Sequence, residues 1–338
     1  MTHVLIVGYG FMGKTHAQAY ESLPHLEITG VVDSIIQGKS VMLPSGREVP
    51  LFSTLHDAFQ TVFCNVVDLC VPTDLHLSLG LEVLKNKKNL FCEKPIALSV
   101  VEAKILEEAR QEAGVQAMVG HCIRFWPEYR FLANVIQDKP WGELKVLSLR
   151  RYAARPRTTS QNWVADPTRC MGAALDLHIH DTDFILSVLG LPTQVSSRGV
   201  QEASGWNWIA TDYHYGETAV RAEGGWNLPA SWAFEMSYRA VFEGGVIDYN
   251  SSRDVSVQLS REKEFPVLTF GTEEPKAAVD ANQNLTGLSG YVETLKYFIH
   301  CVQSGQEVKE ATLTQASDSL RVTLAEIQSA QSGIPTFI

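Results

Sequence analysis

A glycine-rich turn set between an apolar run and a helix constrains this chain more than any other stretch. Val4 to Val7 is short, continuous and β-branched, the pattern of a strand buried on both faces. Gly8, Gly10 and Gly13 follow in G-x-G-x-x-G spacing, and Lys14 to Leu23 carries helix formers as far as Pro24. Gly8 permits the tight turn, Gly10 lets backbone approach a pyrophosphate, and Gly13 lets the helix lie close on the sheet. The first helical amides then face the phosphates, and Phe11 and Met12 join the glycines as candidate cofactor contacts. Glu27 to Val32 reads as a second strand and ends in Asp33, 20 residues beyond Gly13, where a dinucleotide site wants a carboxylate for the adenosine ribose. The competing readings are a structural glycine turn and an ordinary strand-end aspartate.

An ionised Asp33 accepts hydrogen bonds from both ribose hydroxyls and repels a phosphate. The reading therefore favours NAD, with NADP kept open by Lys39 and Arg47 a little further along. Residues 34 to 50 are irregular, with Gly38, Pro44, Gly46 and Pro50 breaking any period, so a loop or a shortened helix is expected in place of the second crossover. A short helix over Leu55 to Val62, a buried strand at Val66 to Val71, a helix over Leu75 to Lys87 and a strand at Leu90 to Cys92 restore the alternation. Ser99 with Glu102 forms a capping box for a helix reaching Ala113, which Gly114 stops before a strand at Gln116 to Val119. Strands and helices alternating in this way predict an α/β fold with a doubly wound parallel sheet, ligands lying outside the carboxyl ends of its strands.

Near Gly120 the rhythm changes, which divides the chain into a dinucleotide-binding domain over 1–120 and a second domain over 121–338. In the second, Phe125 to Gln137 and Ala173 to Leu189 read as helices and Leu144 to Arg151 as a strand. Thr193 to about Leu268 alternates like an antiparallel sheet with one packed face, as in Ser231 to Tyr238. Helices over Gly290 to Ser304 and Leu313 to Ser332 close an α+β domain. At 338 residues two cores are expected, and no stretch approaches the roughly 18 apolar residues of a membrane span. The six scattered cysteines lack C-x-x-C spacing and suit a reducing compartment, so with no secretory signal in view the cytoplasm is the expected location. A net charge of -10 argues against a nucleic acid or an anionic membrane as the main partner.

Two clusters can do chemistry. Glu93-Lys94-Pro95 follows a parallel strand at the edge where a nicotinamide would lie, the alternative being a strand-end salt bridge; a cis bond before Pro95 is open. In Leu175 to Asp183, Asp176 and His180 stand four apart on a helix and share a face, as abstraction of a hydroxyl proton requires. Metal binding competes because Asp176, His178 and His180 lie close, although His178 and His180 point to different sides, so no metal is assigned. A core hydrogen-bond network is the bland alternative. Arg124, Arg155 and Arg157 are candidate receivers of an anionic substrate, against a solvated loop. Trp163 is either a stacking wall for a sugar ring or plain packing.

These motifs together resemble the Gfo/Idh/MocA oxidoreductases, a family that includes glucose-fructose oxidoreductase and inositol dehydrogenases. The resemblance runs from Gly8-Tyr-Gly-Phe-Met-Gly13 through Val71-Pro-Thr-Asp-Leu-His76, Glu93-Lys-Pro-Ile-Ala97 and Asp176-Leu-His-Ile-His-Asp-Thr-Asp183 to Ser329-Ala-Gln-Ser-Gly333. It implies a Rossmann domain followed by a large open antiparallel sheet, a face often used for homodimers or homotetramers. It also implies that Lys94, Asp176 and His180 are catalytic, that Pro72, Thr73 and His76 lie near the nicotinamide, and that Glu93 and Lys94 line the cofactor cleft. Two departures stand out. The family commonly has glycine where this chain has His178, an extra imidazole beside the expected base, and the stretch 34–50 lacks the usual helix pattern.

The expected activity is transfer of a hydride between a secondary alcohol of a sugar, inositol or other polyol and NAD, with His180 as general base, Lys94 on the reacting oxygen and Asp176 holding a hydroxyl or the imidazole. The alternatives are a dinucleotide-binding sensor that turns nothing over and a dehydrogenase of an acid, phosphate or nucleotide sugar.

Overall fold

The computed structural model describes residues 1–156, 160–261, 267–268 and 287–338. The chain forms two compact units, the first from Met1–Cys122 with Leu288–Leu320 and the second from Ile123–Gly287 with Arg321–Ile338. Sequence reasoning assigned 288–320 to the second domain, and these residues cluster with the first instead.

In the first unit the chain runs β1 (Thr2–Val7), α1 (Phe11–Glu21), β2 (Leu26–Val32), β3 (Ser40–Met42), β4 (Glu48–Phe52), α2 (Leu55–Thr61) and β5 (Val66–Leu69). It continues through α3 (His76–Lys85), β6 (Asn89–Cys92), α4 (Val100–Ala113) and β7 (Ala117–Val119). The strands make a seven-stranded sheet in the order β3-β4-β2-β1-β5-β6-β7. All neighbours are parallel except β3 and β4. Leu5, Ile6, Leu69, Leu90 and Phe91 fill its core, fully or almost fully buried. Half of the capping box holds: the Ser99 hydroxyl accepts the Glu102 amide, while Glu102 Oε2 accepts Leu98 N at 3.0 Å instead of the Ser99 amide, and Gly114 ends α4 in the left-handed conformation at φ 68°.

The stretch expected to be a loop is a hairpin. Leu43, Val49 and Leu51 are buried along it, a period-two pattern around the Pro44 to Gly46 turn. Leu43 N donates to Arg47 O at 2.8 Å across that turn, and β4 then joins β2 in parallel. The hairpin thus supplies the sheet edge that a crossover helix would have reached.

The second unit contains α5 (Pro127–Asp138), β8 (Leu144–Ala154), α6 (Ile179–Leu189), β9 (Gln194–Glu202), β10 (Gly205–Tyr215) and β11 (Thr218–Leu228). β12 (Glu235–Phe242), β13 (Gly245–Asn250), β14 (Val257–Ser260) and β15 (Val267–Leu268) follow. α7 (Ser289–Ser304) returns to the first unit, α8 (Leu313–Ser332) has residues in both, and β16 (Thr336–Phe337) ends in the second. Nine strands pair as β15-β14-β13-β12-β8-β11-β10-β9-β16. The sheet is antiparallel except where β8 runs parallel to β11, a mixed pair that alternation along single strands cannot reveal. The strand expected from Ser231 starts only at Glu235, because Pro229 to Trp232 forms a turn. Tyr129, Tyr238 and Tyr249 pack edge-on or tilted with centroids 5.1 to 5.7 Å apart at its core.

In the first unit α7 lies against α1. Tyr291 and Phe298 bring their rings to 6.0 Å from His16 and 5.5 Å from Phe91. No helix among the described residues is long and apolar enough to cross a membrane.

Candidate active site

The glycine loop is built as its spacing requires. Gly8 has φ 87°, and a Cβ there would stand 2.6 Å from Cys70 O. A Cβ on Gly13 would stand 2.0 Å from Gly8 O, so α1 can leave the loop at this angle only with glycine in place. Gly10 differs, since nothing lies within 4 Å of a Cβ built there. α1 opens at Phe11 with no side-chain cap and no acidic residue in its first turn, leaving its amide end to an anion. Phe11 is exposed and Met12 half-buried. Asp33 Oδ2 accepts Tyr9 N at 2.9 Å, and Oδ1 accepts Ile35 N at 2.9 Å and Ile36 N at 3.1 Å. The carboxylate therefore ties the loop to the end of β2 while its remaining lone pairs suit hydroxyl donors. Arg47 donates to Ile28 O at 2.9 Å and pairs with Glu27 at 3.6 Å, which engages one of the two cations that kept NADP open. Open space at Gly10, an uncapped helix start and a strand-end carboxylate fit a dinucleotide.

The corner after β6 is braced from inside. Glu93 is 6% exposed; its Oε2 accepts Lys94 N at 3.1 Å and its Oε1 meets His16 Nε2 at 3.2 Å. His16 Nδ1 lies 2.8 Å from Asp68 Oδ2 and 3.2 Å from Cys70 Sγ. Burial alone would push the His16 imidazolium down, but Cys70 and Asp68 beside it outweigh that and hold it well above its usual value. Burial acts the other way on Glu93, and the His16 and Lys94 contacts keep its carboxyl below the usual range. The Cys70 thiol is pushed far up by burial and by Asp68. A Cβ on Gly120 would stand 2.6 Å from Glu93 Oε1, so glycine makes the room.

Two expected cofactor contacts also brace the protein itself. Glu93 engages His16 and the Lys94 amide, and so holds the corner from within. His76 is fully buried with Nδ1 2.9 Å from Pro95 O and Nε2 3.0 Å from Val71 O, and burial pushes its pKa down. Its ring links the turns after β5 and β6. Thr73 is buried, Pro72 and Lys94 are half-buried, and the Lys94-Pro95 bond is cis.

In the second unit the expected helix from Ala173 begins as a wide π turn over Ala174–His178 before α6 starts at Ile179. Gly172 anchors it: at φ 85° its Cβ would stand 2.6 Å from Trp206 N, so glycine lets the segment cross β10 closely. From Gly172 to Ile185 every residue is buried except Asp176 and His180, which are both half-buried. These two positions are therefore the ones along the segment that the core leaves partly open. His178 does not join them. Its Nε2 lies 2.7 Å from Glu326 Oε2 inside the unit, so the extra imidazole is a core group and no neighbour of the base. Among the described residues the group of His, Asp and Cys close enough to share an ion is His16, Asp68 and Cys70, not Asp176 to His180.

The arginines divide. Arg124 is 6% exposed and binds Asp183 through two bonds of 2.7 and 2.6 Å, which engages its guanidinium inside the second unit. Arg155 pairs with Glu202 at the surface, beside a cavity of about 540 Å³ lined by Trp226 and Asn227. Arg157 lies outside the described residues. Trp163 is half-buried and packs against a cluster containing Val164, Leu177 and Trp226, which favours plain packing over a stacking wall. Sequence reasoning missed Asp68, His16, Asp183 and Glu326. His16 follows the glycine loop at helical spacing and was the one signal available; Glu326 is 148 residues from its partner, and no local pattern marks it.

The model of the oxidoreductase family with the NAD-binding Rossmann fold matches residues 2–121, and that of the GFO/IDH/MocA C-terminal domain matches 129–246. The 2,7-anhydro-N-acetylneuraminate hydratase of Escherichia coli is 28% identical over 197 residues, 57% of this chain and 51% of that protein. Inositol 2-dehydrogenase of Rhizobium meliloti is 27% identical over 190 residues, 55% of this chain and 54% of that protein. The chain spans about half the length of the curated relatives it matches. A levoglucosan dehydrogenase solved with NADH and levoglucosan superposes with a TM-score of 0.83 at 16% identity, covering 100% of this chain and 99% of that one, a likeness of fold.

Proposed function

Since the chain belongs to the Gfo/Idh/MocA oxidoreductase family, we propose that it oxidises, reversibly, a secondary alcohol of a sugar, inositol or other polyol with NAD. Bound at the glycine loop, the dinucleotide supplies a nicotinamide that accepts hydride. Gly8, Gly10 and Gly13 shape its cradle and Asp33 takes the ribose hydroxyls. His180 accepts the hydroxyl proton, and Asp176 orients that imidazole or holds a second hydroxyl. Lys94 donates a hydrogen bond to the reacting oxygen and stabilises alkoxide character. The observation that carries this reading is the exposure of Asp176 and His180 alone along an otherwise buried segment. Engagement of Arg124 by Asp183 favours a neutral sugar or polyol over an anionic one.

Six free thiols suit a reducing, cytoplasmic setting. Association of copies through the nine-stranded sheet is proposed from its partly exposed Val146 and Val200, and light scattering tests it.

The experiment mixes purified protein with NAD and a panel of inositols, aldoses and sugar acids, following reduced nicotinamide by absorbance and products by chromatography. Reduction with a neutral member of the panel supports the proposal. NAD binding with silence across the panel sinks it in favour of a sensor. Conversion without net reduction points to a lyase-type outcome, such as the hydratase relative's name describes.

A further inference from the structure

We infer that His178 is a positioning residue: held by Glu326 on the core side of the helical segment, it fixes the wide turn that presents Asp176 and His180. The inference rests on the role proposed for that pair and concerns the second unit alone. His178 lies midway between the two in sequence, yet its side chain is fully buried where theirs are half-buried.

Glu326 is also fully buried, and its carboxylate collects Thr182 Oγ1 at 2.8 Å, Thr211 Oγ1 at 3.0 Å and Tyr213 OH at 3.0 Å in addition to His178. One side chain of α8 thus ties α6 and the turn before it to β10. The other flank of the ring rests on β11, where a Cβ on Gly224 would stand 3.0 Å from His178 Nδ1 and 3.1 Å from its Cβ. The ring is therefore confined at its tip by a hydrogen bond and at its side by a strand that carries no side chain at Gly224.

His178 is the last residue of the π turn, immediately before α-helical geometry begins. In a regular helix residues four apart lie nearly in line, whereas a wide turn rotates them with respect to one another. Where the ring is seated thus determines the angle between Asp176 and His180.

The test reads the His180 imidazole by proton NMR of histidine-labelled protein, without any substrate. His180→Ala assigns its signal. His178→Ala and Gly224→Ala, the second of which removes no polar group, are expected to shift the His180 resonance and the midpoint of its titration. His178→Gln, which still reaches Glu326, is expected to restore both, and NAD affinity stays within about twofold in every variant. A tenfold to hundredfold fall in kcat, at unchanged KM for NAD, is the matching effect of about an ångström of misplacement. An unmoved His180 signal in folded His178→Ala or Gly224→Ala overturns the inference. Should His178→Ala fail to fold by circular dichroism, Glu326→Gln and Gly224→Ala, which keep the ring, decide. A shifted signal in a protein that turns over none of the panel leaves the positioning in place and sinks the proposed activity; turnover with an unmoved signal does the reverse.

Discussion

Arg124 and Asp183 face each other across a buried two-pronged bond, Nε to Oδ2 at 2.7 Å and Nη2 to Oδ1 at 2.6 Å. Asp183 has no exposed surface, so removing the guanidinium takes a two-pronged partner from a carboxylate buried in the core. Arg124→Ala is expected to cost about 3–5 kcal/mol, and Arg124→Met combined with Asp183→Leu to recover most of it. Urea unfolding measures both. Unchanged stability with a raised KM for a sugar acid would return Arg124 to substrate binding.

His180→Ala is expected to lower turnover by about 10² to 10⁴ while NAD still binds, the usual worth of a positioned general base. Steady-state rates beside a fluorescence titration of NAD separate the two quantities. Full turnover in the variant removes His180 from the role.

The loop glycines should fail in different ways. Gly13→Ala sets a methyl 2.0 Å from Gly8 O and should depress the melting temperature, whereas Gly10→Ala meets no protein atom within 4 Å and should leave it in place. NAD affinity should fall in Gly10→Ala even so, because backbone must approach the pyrophosphate there. Calorimetry with and without NAD resolves this, and undiminished affinity in Gly10→Ala would argue against the cradle.

Stability should depend on pH through His16 and Glu93. His16 has a folded pKa raised above its usual 6.5, so its contribution is complete below that value and is lost as pH rises through the folded one. Glu93 is lowered from 4.5, so its contribution is present above that value and is lost as pH falls through the folded one. A plateau between these limits with decline on both sides is expected in urea midpoints, and His16→Gln should remove the alkaline decline. An identical alkaline arm in that variant would show that His16 is not the group responsible.

Local signals read well along this chain and distant pairings did not. The Ser99 cap and the final two helices follow from a few adjacent residues and formed within a residue of their expected bounds, whereas α1, expected from Lys14, starts three residues earlier at Phe11. The hairpin at 40–52 was missed although Leu43, Val49 and Leu51 carried its alternation, because Pro44 and Gly46 were read as breaks instead of a turn. Asp176 and His180 were read as one face of a regular helix, and the wide turn over Ala174–His178 left no mark in the spacing. That His178 belongs to Glu326 and Arg124 to Asp183 was not legible, since partners 148 and 59 residues apart are chosen by packing and leave no spacing to read.

The return of α7 to the first sheet bears on the order in which the protein is made. His16 and Phe91 emerge from the ribosome long before Tyr291 and Phe298, the rings that cover them. At cellular rates of chain growth the first unit waits roughly ten seconds or more with that flank bare. A chaperone that shields apolar surface on nascent chains would find its longest opportunity there, and a truncation before residue 288 would leave it bare for good.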